Sequence, residues 1–233
     1  MNSPISLEGK RIIVTGAARG LGRAFAEAMI GAGASIVVAD ILVDEGRATA
    51  NTIGAEFAEL DLAMPESVDS CVATAVKALG GLDGLVNNGA IATGIGGPTM
   101  TEIEAEVWDR VMIVNVRGTW LMSKAAVPHL AQSGNGKIVN LASATALWGA
   151  PRLMHYVASK GGIHSMTRLL AAKYASSGVL VNAVAPGPTK TRMTEGRSID
   201  TNNVPLGRML EPEDIAWPIA FLLSPAAAGM VGV

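Results

Sequence analysis

Arg11-Ile12-Ile13-Val14-Thr15-Gly16-Ala17-Ala18-Arg19-Gly20-Leu21-Gly22 joins a β-branched run to a glycine-rich turn and the start of a helical pattern. The first five residues have the continuous apolar character of a strand buried on both faces. The helical pattern runs over 21–32 and stops at Gly33. The same alternation then repeats. Strands are predicted over 34–39, ending at Asp40; 56–60, ending at Asp61; 82–86, ending at Asn87-Asn88-Gly89-Ala90; 137–141, leading to Ser143; and 179–184, ending at Pro186-Gly187-Pro188. Helices are predicted over 43–53, from Pro65 onward, over 101–132, through Tyr156 to Ser177, and over 213–223. Strand, helix and short connection in strict alternation give an α/β fold. The expectation is one Rossmann-type domain over 1–233, a doubly wound parallel sheet with helices on both faces.

The chain has 233 residues, 49% apolar and 16% charged, which suits a core-rich globular domain and excludes a disordered one. A net charge of −2 without runs of like charge gives no support for nucleic acid or an anionic membrane as partner. The single cysteine, Cys71, is expected to be a small buried hydrophobe in a reducing compartment. Glu8, Lys10 and Arg11 precede any long apolar segment, so no signal peptide is expected. Residues 215–233 carry no charge, but Pro218, Pro225, Gly229 and Gly232 interrupt them. A buried helix and the start of a strand are expected there, not a membrane span, and the location is expected to be cytoplasmic.

The first turn carries three glycines. Gly16 allows a tight exit from the strand, Gly20 has no side chain to block a pyrophosphate, and Gly22 lets helix and strand pack closely. The helix beginning at Leu21 would offer free N–H groups to the phosphates. Taken alone the turn could also be empty of ligand. Asp40, at the tip of the second strand, strengthens the dinucleotide reading, because a carboxylate there can hold the adenosine ribose hydroxyls. It would also repel a 2′-phosphate. Arg19 pulls the other way, since a guanidinium could pair with that phosphate. Asp40 is given the greater influence, so NAD is expected over NADP.

The second signal is His155-Tyr156-Val157-Ala158-Ser159-Lys160. On a helix Tyr156 and Lys160 share a face, and an ammonium beside a phenol is expected to lower its pKa and ready it for acid/base work. With Ser143 at a strand end, the motifs Thr15-Gly16-x-x-x-Gly20-x-Gly22, Asp61-Leu62, Asn87-Asn88-Gly89-Ala90, Asn115, Ser143, Tyr156-x-x-x-Lys160 and Pro186-Gly187-x-x-x-Thr191 span nearly the whole chain. In this order the chain resembles the short-chain dehydrogenase/reductase family.

The resemblance implies a set of roles. Tyr156 would be the general acid/base, Lys160 would bind ribose and tune it, and Ser143 would bond the substrate oxygen. Asn115 would hold a water linking Lys160 to solvent. Asp61 and Leu62 would meet the adenine, Asn88 the nicotinamide-side ribose, and Gly187, Thr189 and Thr191 the carboxamide. The implied reaction is the interconversion of a secondary alcohol and a ketone. In the oxidative direction the hydroxyl proton passes to Tyr156 and hydride leaves the carbinol carbon. An epimerase or dehydratase of the same fold, or a non-catalytic NAD sensor, are the alternatives.

Two departures stand out. The family reads Asn-Asn-Ala-Gly where this chain has Asn87-Asn88-Gly89-Ala90, tolerable if neither small residue needs a positive φ. The family also continues through a seventh strand where this chain ends at Gly229-Met230-Val231-Gly232-Val233. A truncated last strand and an unpaired sheet edge are therefore expected. His129, His155 and His164 are scattered, and no metal site is expected. Lys190, Arg192, Arg197 and Arg208 read as a solvated face. Ala144, Thr145, Ala146, Trp148, Leu153, Met154 and residues 191–204 would shape the substrate pocket. Their mostly apolar character favours a secondary alcohol and ketone pair on an apolar skeleton, with cyclic skeletons among the options. Family members are often homotetramers built on two long helices, so a tetramer or dimer is expected through 101–132 and 155–177.

Overall fold

The carboxyl ends of six parallel strands form one edge of a sheet with the order β3-β2-β1-β4-β5-β6. The strands are β1 (Arg11–Thr15), β2 (Ser35–Asp40), β3 (Glu56–Glu59), β4 (Gly84–Asn87), β5 (Gly136–Leu141) and β6 (Val179–Val184). The computed structural model describes residues 5–92, 100–149, 153–191, 194, 201 and 204–233. β1 lies at the centre, with Val14 opposite Val38 on one side and Val86 on the other. The chain winds outward from β1 in one direction through β3, then returns and winds the other way from β4. That reversal opens a crevice between β1 and β4, the place where such sheets receive ligands.

Side chains alternate across β1, which divides the core in two. Ile12 and Val14 pack with Phe25 and Met29 of α1 (Gly20–Gly31) and with Ile215 and Ile219 of α8 (Pro212–Leu223). Ile13 packs on the other face with Val68 and Val72 of α3 (Pro65–Leu79) and with Met122 and Leu130 of α5 (Gly118–Gln132). Cys71 lies in this second core, and burial pushes its thiol pKa up to about 12, so it behaves as an inert hydrophobe. Pro65 sits in the first turn of α3, and Gly80 closes that helix in the left-handed region at φ 72°. α2 (Val43–Ile53) links β2 to β3.

Two expectations change. The helical region predicted over 101–132 is a 3₁₀ turn (Met100–Glu102) followed by a run of α4 (Ala105–Val111), a π-helical turn (Met112–Arg117) and α5, helical without interruption from 105 to 132. A Cβ on Gly118 would come within 2.9 Å of the Leu62 carbonyl, so only glycine lets α5 begin against that backbone. The outer edge of β6 is also not bare. Gly232 N–H donates to the Val181 carbonyl at 2.9 Å and Ala183 N–H to the Val233 carbonyl at 2.6 Å. The Asn182 amide adds a bond to the Met230 carbonyl at 2.9 Å. These residues run alongside β6 in its own direction. Among the described residues no helix is long and apolar enough to cross a membrane.

Candidate active site

The glycine turn is built by backbone contacts that no side chain could enter. Gly16 has φ +66°, and a Cβ there would lie 2.7 Å from the Gly89 Cα. A Cβ on Gly22 would lie 2.3 Å from the Gly16 carbonyl oxygen. Gly20 differs: it has φ +57°, and its Cβ direction meets nothing within 4 Å. α1 begins at Gly20 with no side chain capping its first turn, and Leu21 packs against the core. An open space beside uncapped helical N–H groups is suited to a pyrophosphate.

Around this turn the polar side chains are fastened to backbone. The Thr15 hydroxyl accepts from the N–H groups of Asn88 (3.0 Å) and Gly89 (2.9 Å), which locks the end of β4 onto the end of β1. The Asn88 carboxamide donates to the carbonyls of Thr15 (2.9 Å) and Gly16 (3.1 Å). Its amide therefore braces the glycine turn. Neither Gly89 nor Ala90 has a positive φ, so the exchanged small residues need no special backbone. Leu62 is buried in the second core, and Asp61 accepts from the Ala63 N–H at 2.8 Å. Asp40 is buried at the tip of β2, accepting from Ala18 N–H at 2.9 Å and Leu42 N–H at 3.0 Å. Arg19 is paired with Glu45 of α2, 3.2 Å from each carboxylate oxygen.

The second cluster forms where β5 meets α7 (Met154–Tyr174). Ser143 follows β5 and is buried, with its hydroxyl 2.9 Å from that of Thr145. Lys160 is buried and donates to the Leu141 carbonyl at 2.6 Å, tying α7 to the last residue of β5. Its ammonium lies 5.6 Å from the centre of the Tyr156 ring. The expected lowering of the Tyr156 pKa is not found. Burial raises the phenol above its ordinary value, and a hydrogen bond from Ser143 pulls the other way. The helical spacing puts the ammonium over the ring. Burial also pushes Lys160 down to about 8.

Asn115 lies buried in the π-helical turn. Its carboxamide accepts from Ile91 N–H at 2.9 Å and donates to the Ile91 carbonyl at 3.1 Å and the Ser159 hydroxyl at 3.0 Å. Ser159 in turn donates to the Tyr156 carbonyl at 2.7 Å. The Asn115 carbonyl accepts from the Thr119 hydroxyl at 2.8 Å. Asn115 thus connects the loop after β4 to the turn of α7 that carries Tyr156 and Lys160. Leu153, just before α7, is the one non-glycine residue with positive φ among those described, at 61°. That strain sits three residues ahead of Tyr156.

The segment after β6 lies against the same edge. Pro186 accepts from Ala144 N–H at 3.0 Å, and Leu210 N–H donates to the Pro188 carbonyl at 2.8 Å. The Thr189 hydroxyl donates to the Gly187 carbonyl at 2.9 Å, and Thr191 N–H donates to the Thr194 hydroxyl at 3.0 Å. Thr145, Ala146 and Trp148 form a short helix, α6 (Thr145–Trp148), and Leu147, Trp148 and Leu206 are exposed. Of the expected pocket, residues 192–193, 195–200 and 202–203 lie outside the described residues, as do Arg192, Met193 and Arg197, together with 93–99. His155, expected to pack or lie at the surface, is fully buried. Among the described residues no group of three or more His, Cys, Asp or Glu is gathered as metal ligands.

Ser159 and Glu45 carry contacts that sequence reading missed. The signal for Ser159 was weak, a hydroxyl three residues after Tyr156 on one helix face. For Glu45 it was a second carboxylate five residues beyond Asp40, in the first turn of the next helix.

A family model described as Enoyl-(Acyl carrier protein) reductase matches residues 16–233. The chain is 38% identical to 2,5-dichloro-2,5-cyclohexadiene-1,4-diol dehydrogenase of Sphingobium indicum, over 97% of this chain and 94% of that protein. It is 36% identical to trans-4-hydroxycyclohexanecarboxylate dehydrogenase of Sinomonas cyclohexanicum, over 96% and 89%. The crystal structure of a 3-ketoacyl-(acyl-carrier-protein) reductase from Brucella melitensis, complexed with NADH, superposes with a TM-score of 0.93 at 35% identity, covering 98% of this chain and 96% of that one. A matching profile, relatives of this identity over almost their full length, and the shared sheet place the chain in the short-chain dehydrogenase/reductase family of oxidoreductases.

Proposed function

We propose that this chain interconverts a secondary alcohol and a ketone on a small, mostly apolar, ring-bearing molecule, with NAD as redox partner. The observation that carries the reading is the convergence of Ser143, Tyr156 and Lys160 at the end of β5. There the Lys160–Leu141 bond of 2.6 Å and the Ser143–Tyr156 hydrogen bond hold three polar groups in one buried place. The NADH-bound relative and the two cyclic-alcohol dehydrogenases support the cofactor and substrate class.

In this reading Gly16, Gly20, Leu21 and Gly22 hold the pyrophosphate with the first turn of α1. Asp40 holds the adenosine ribose, Asp61 and Leu62 border the adenine, and Gly187, Thr189 and Thr191 border the carboxamide. Asn88 contributes by bracing the turn. When bound, the nicotinamide accepts or returns the hydride. Tyr156 takes or gives the proton at the substrate oxygen, and Ser143 donates a hydrogen bond to that oxygen, where charge develops. Lys160 supplies positive charge beside the phenol. Asn115 and Ser159 hold α7 in register with the β4 loop. Ala144, Leu147, Trp148, Met154 and Leu206 provide apolar walls.

The buried carboxylate of Asp40 favours NAD, since a 2′-phosphate would bring a second negative charge against it. A second copy of the chain is proposed to pack on α5 and α7, where Trp120 and Leu169 are exposed. A hollow of about 460 Å³ lined by Met112, Ile113, Val116, Trp120 and Met166, and also by Asp109 and Arg117, lies on that face. Light scattering should then give more than one chain per particle, and Trp120→Glu should reduce it; a monomeric parent protein would refute this part.

A panel of cyclic and open-chain secondary alcohols, followed by NADH absorbance, tests the main reading. Turnover on cyclic alcohols with NAD is the expected result. Tightly held dinucleotide with no net NADH from any member would favour an epimerase or dehydratase instead. Failure to bind or turn over anything with either dinucleotide would sink the proposal.

A further inference from the structure

Asp40 is not the only carboxylate at the ribose end of the glycine turn. Arg19 is the residue before α1, and its neighbour Ala18 donates its N–H to Asp40 at 2.9 Å. A guanidinium rooted one residue from that contact would ordinarily be available to an anion there. It is instead engaged. Glu45, in the first turn of α2, sets both carboxylate oxygens 3.2 Å from Arg19 Nη1.

Glu45 is held in place by its own helix. Thr49 lies one turn later on the same face and is buried. Its hydroxyl donates to the Ala18 carbonyl at 2.6 Å. Thr49 and Glu45 therefore grip successive residues of the turn, Thr49 through the Ala18 backbone and Glu45 through the Arg19 side chain. Between them they fix α2 against the glycine turn and set a negative charge on its guanidinium.

We propose that Glu45 is a positioning residue for cofactor specificity: it holds Arg19 in an ion pair and so withholds from a 2′-phosphate the cation that would receive it. This rests on the reading of the turn as a NAD site. Asp40 acts by repulsion and Glu45 by occupying the counter-charge, so replacing Asp40 alone leaves the site without a free cation. The Arg19–Glu45 pair is exposed, with side chains 46% and 51% accessible, so its separate effect is modest and screened by salt. Releasing the pair and removing one carboxylate should together strengthen binding of a 2′-phosphate by about tenfold at low salt.

The test uses the full chain and two probes, AMP and adenosine 2′,5′-bisphosphate, with binding measured by calorimetry at low and high salt. In the parent protein AMP should bind more tightly than the bisphosphate. Glu45→Gln should tighten the bisphosphate about tenfold at low salt and leave AMP within about twofold. The gain should shrink at high salt and vanish in the Arg19→Gln/Glu45→Gln double variant. An unchanged bisphosphate affinity in Glu45→Gln, with AMP still preferred by the parent, overturns the role of Glu45 and leaves the NAD reading standing. A gain that survives without Arg19 also overturns it. A parent protein that prefers the bisphosphate refutes the NAD reading itself.

Discussion

Two buried lysines, Lys137 and Lys160, answer the same problem at opposite ends of β5. Each places its ammonium on a single backbone carbonyl: Lys137 on Ser224 at 2.8 Å, Lys160 on Leu141 at 2.6 Å. Burial lowers the pKa of both, with a contribution from Lys10 at Lys137, and takes Lys160 to about 8. Lys137 stands near the amino end of its strand and meets the carbonyl just past α8, where a cation complements the helix dipole. Its surroundings are structural: nearby on the same edge Arg11 pairs with Asp83 at 2.6 Å and bonds the Gly80 carbonyl at 2.7 Å. Lys160 stands at the carboxyl end, over the Tyr156 ring. A buried lysine is therefore not a functional signal in itself. The sheet edge it occupies decides what its charge can reach.

The sharpest test of that contrast is Tyr156→Phe, which removes the hydroxyl of the ring that Lys160 lies beside. Turnover should fall about 10³-fold while dinucleotide binding persists. Because burial raises the phenol, its ionised form is scarce at neutral pH. Oxidation should climb about tenfold per pH unit below the phenol pKa, while ketone reduction, which needs the neutral phenol, should not. A flat profile in the oxidative direction would show that Tyr156 is not the base.

Lys160→Met comes next. Activity should drop about 10²-fold, yet stability at pH 7 should not fall. With a folded pKa of about 8 against an unfolded value near ~10.4, the protonated lysine favours the unfolded chain. That penalty is complete below pH 8 and is relieved as the pH rises through 8 towards ~10.4. Parent and variant should therefore diverge in urea unfolding between pH 7 and pH 9.5, with the parent gaining. Parallel stability curves would mean that Lys160 is not held at a lowered pKa.

Most of the architecture was legible because parallel strands buried on both faces leave continuous apolar runs, and each run here is soon followed by a turn-forming or polar residue. The π-helical turn inside 101–132 was not legible, since it disturbs the apolar period by one residue and leaves no composition mark. Spacing put Lys160 on the face of Tyr156, but it could not show that burial would outweigh a neighbouring charge and raise the phenol. Asn88 and Asn115 were legible as motif members, while the carbonyls that their carboxamides bond belong to Thr15, Gly16 and Ile91, far away in sequence. The Arg19–Glu45 pair was hidden for the same reason: it joins the glycine turn to α2, whose relative placement only the folded sheet defines. Among the described residues no seventh strand follows β6, as expected, but the edge is partly covered because Gly232 and Val233 bond Val181 and Ala183 along it.

Lys137→Met completes the comparison with the smallest effect. The substitution removes the donor to the Ser224 carbonyl and the positive charge beside the end of α8, which destabilises the fold. It also removes the cost of burying an ammonium near Lys10, which acts in the opposite direction. The two nearly offset, and a net loss of about 1 kcal/mol is expected at pH 7. Turnover and dinucleotide affinity should stay within about twofold of the parent, because nothing at the amino edge of β5 touches the Ser143–Tyr156 cluster. Urea unfolding together with steady-state kinetics checks both halves. A fall in turnover as deep as that of Lys160→Met, without a matching loss of fold, would show that charge at the amino edge reaches the site and would break the division between the two lysines.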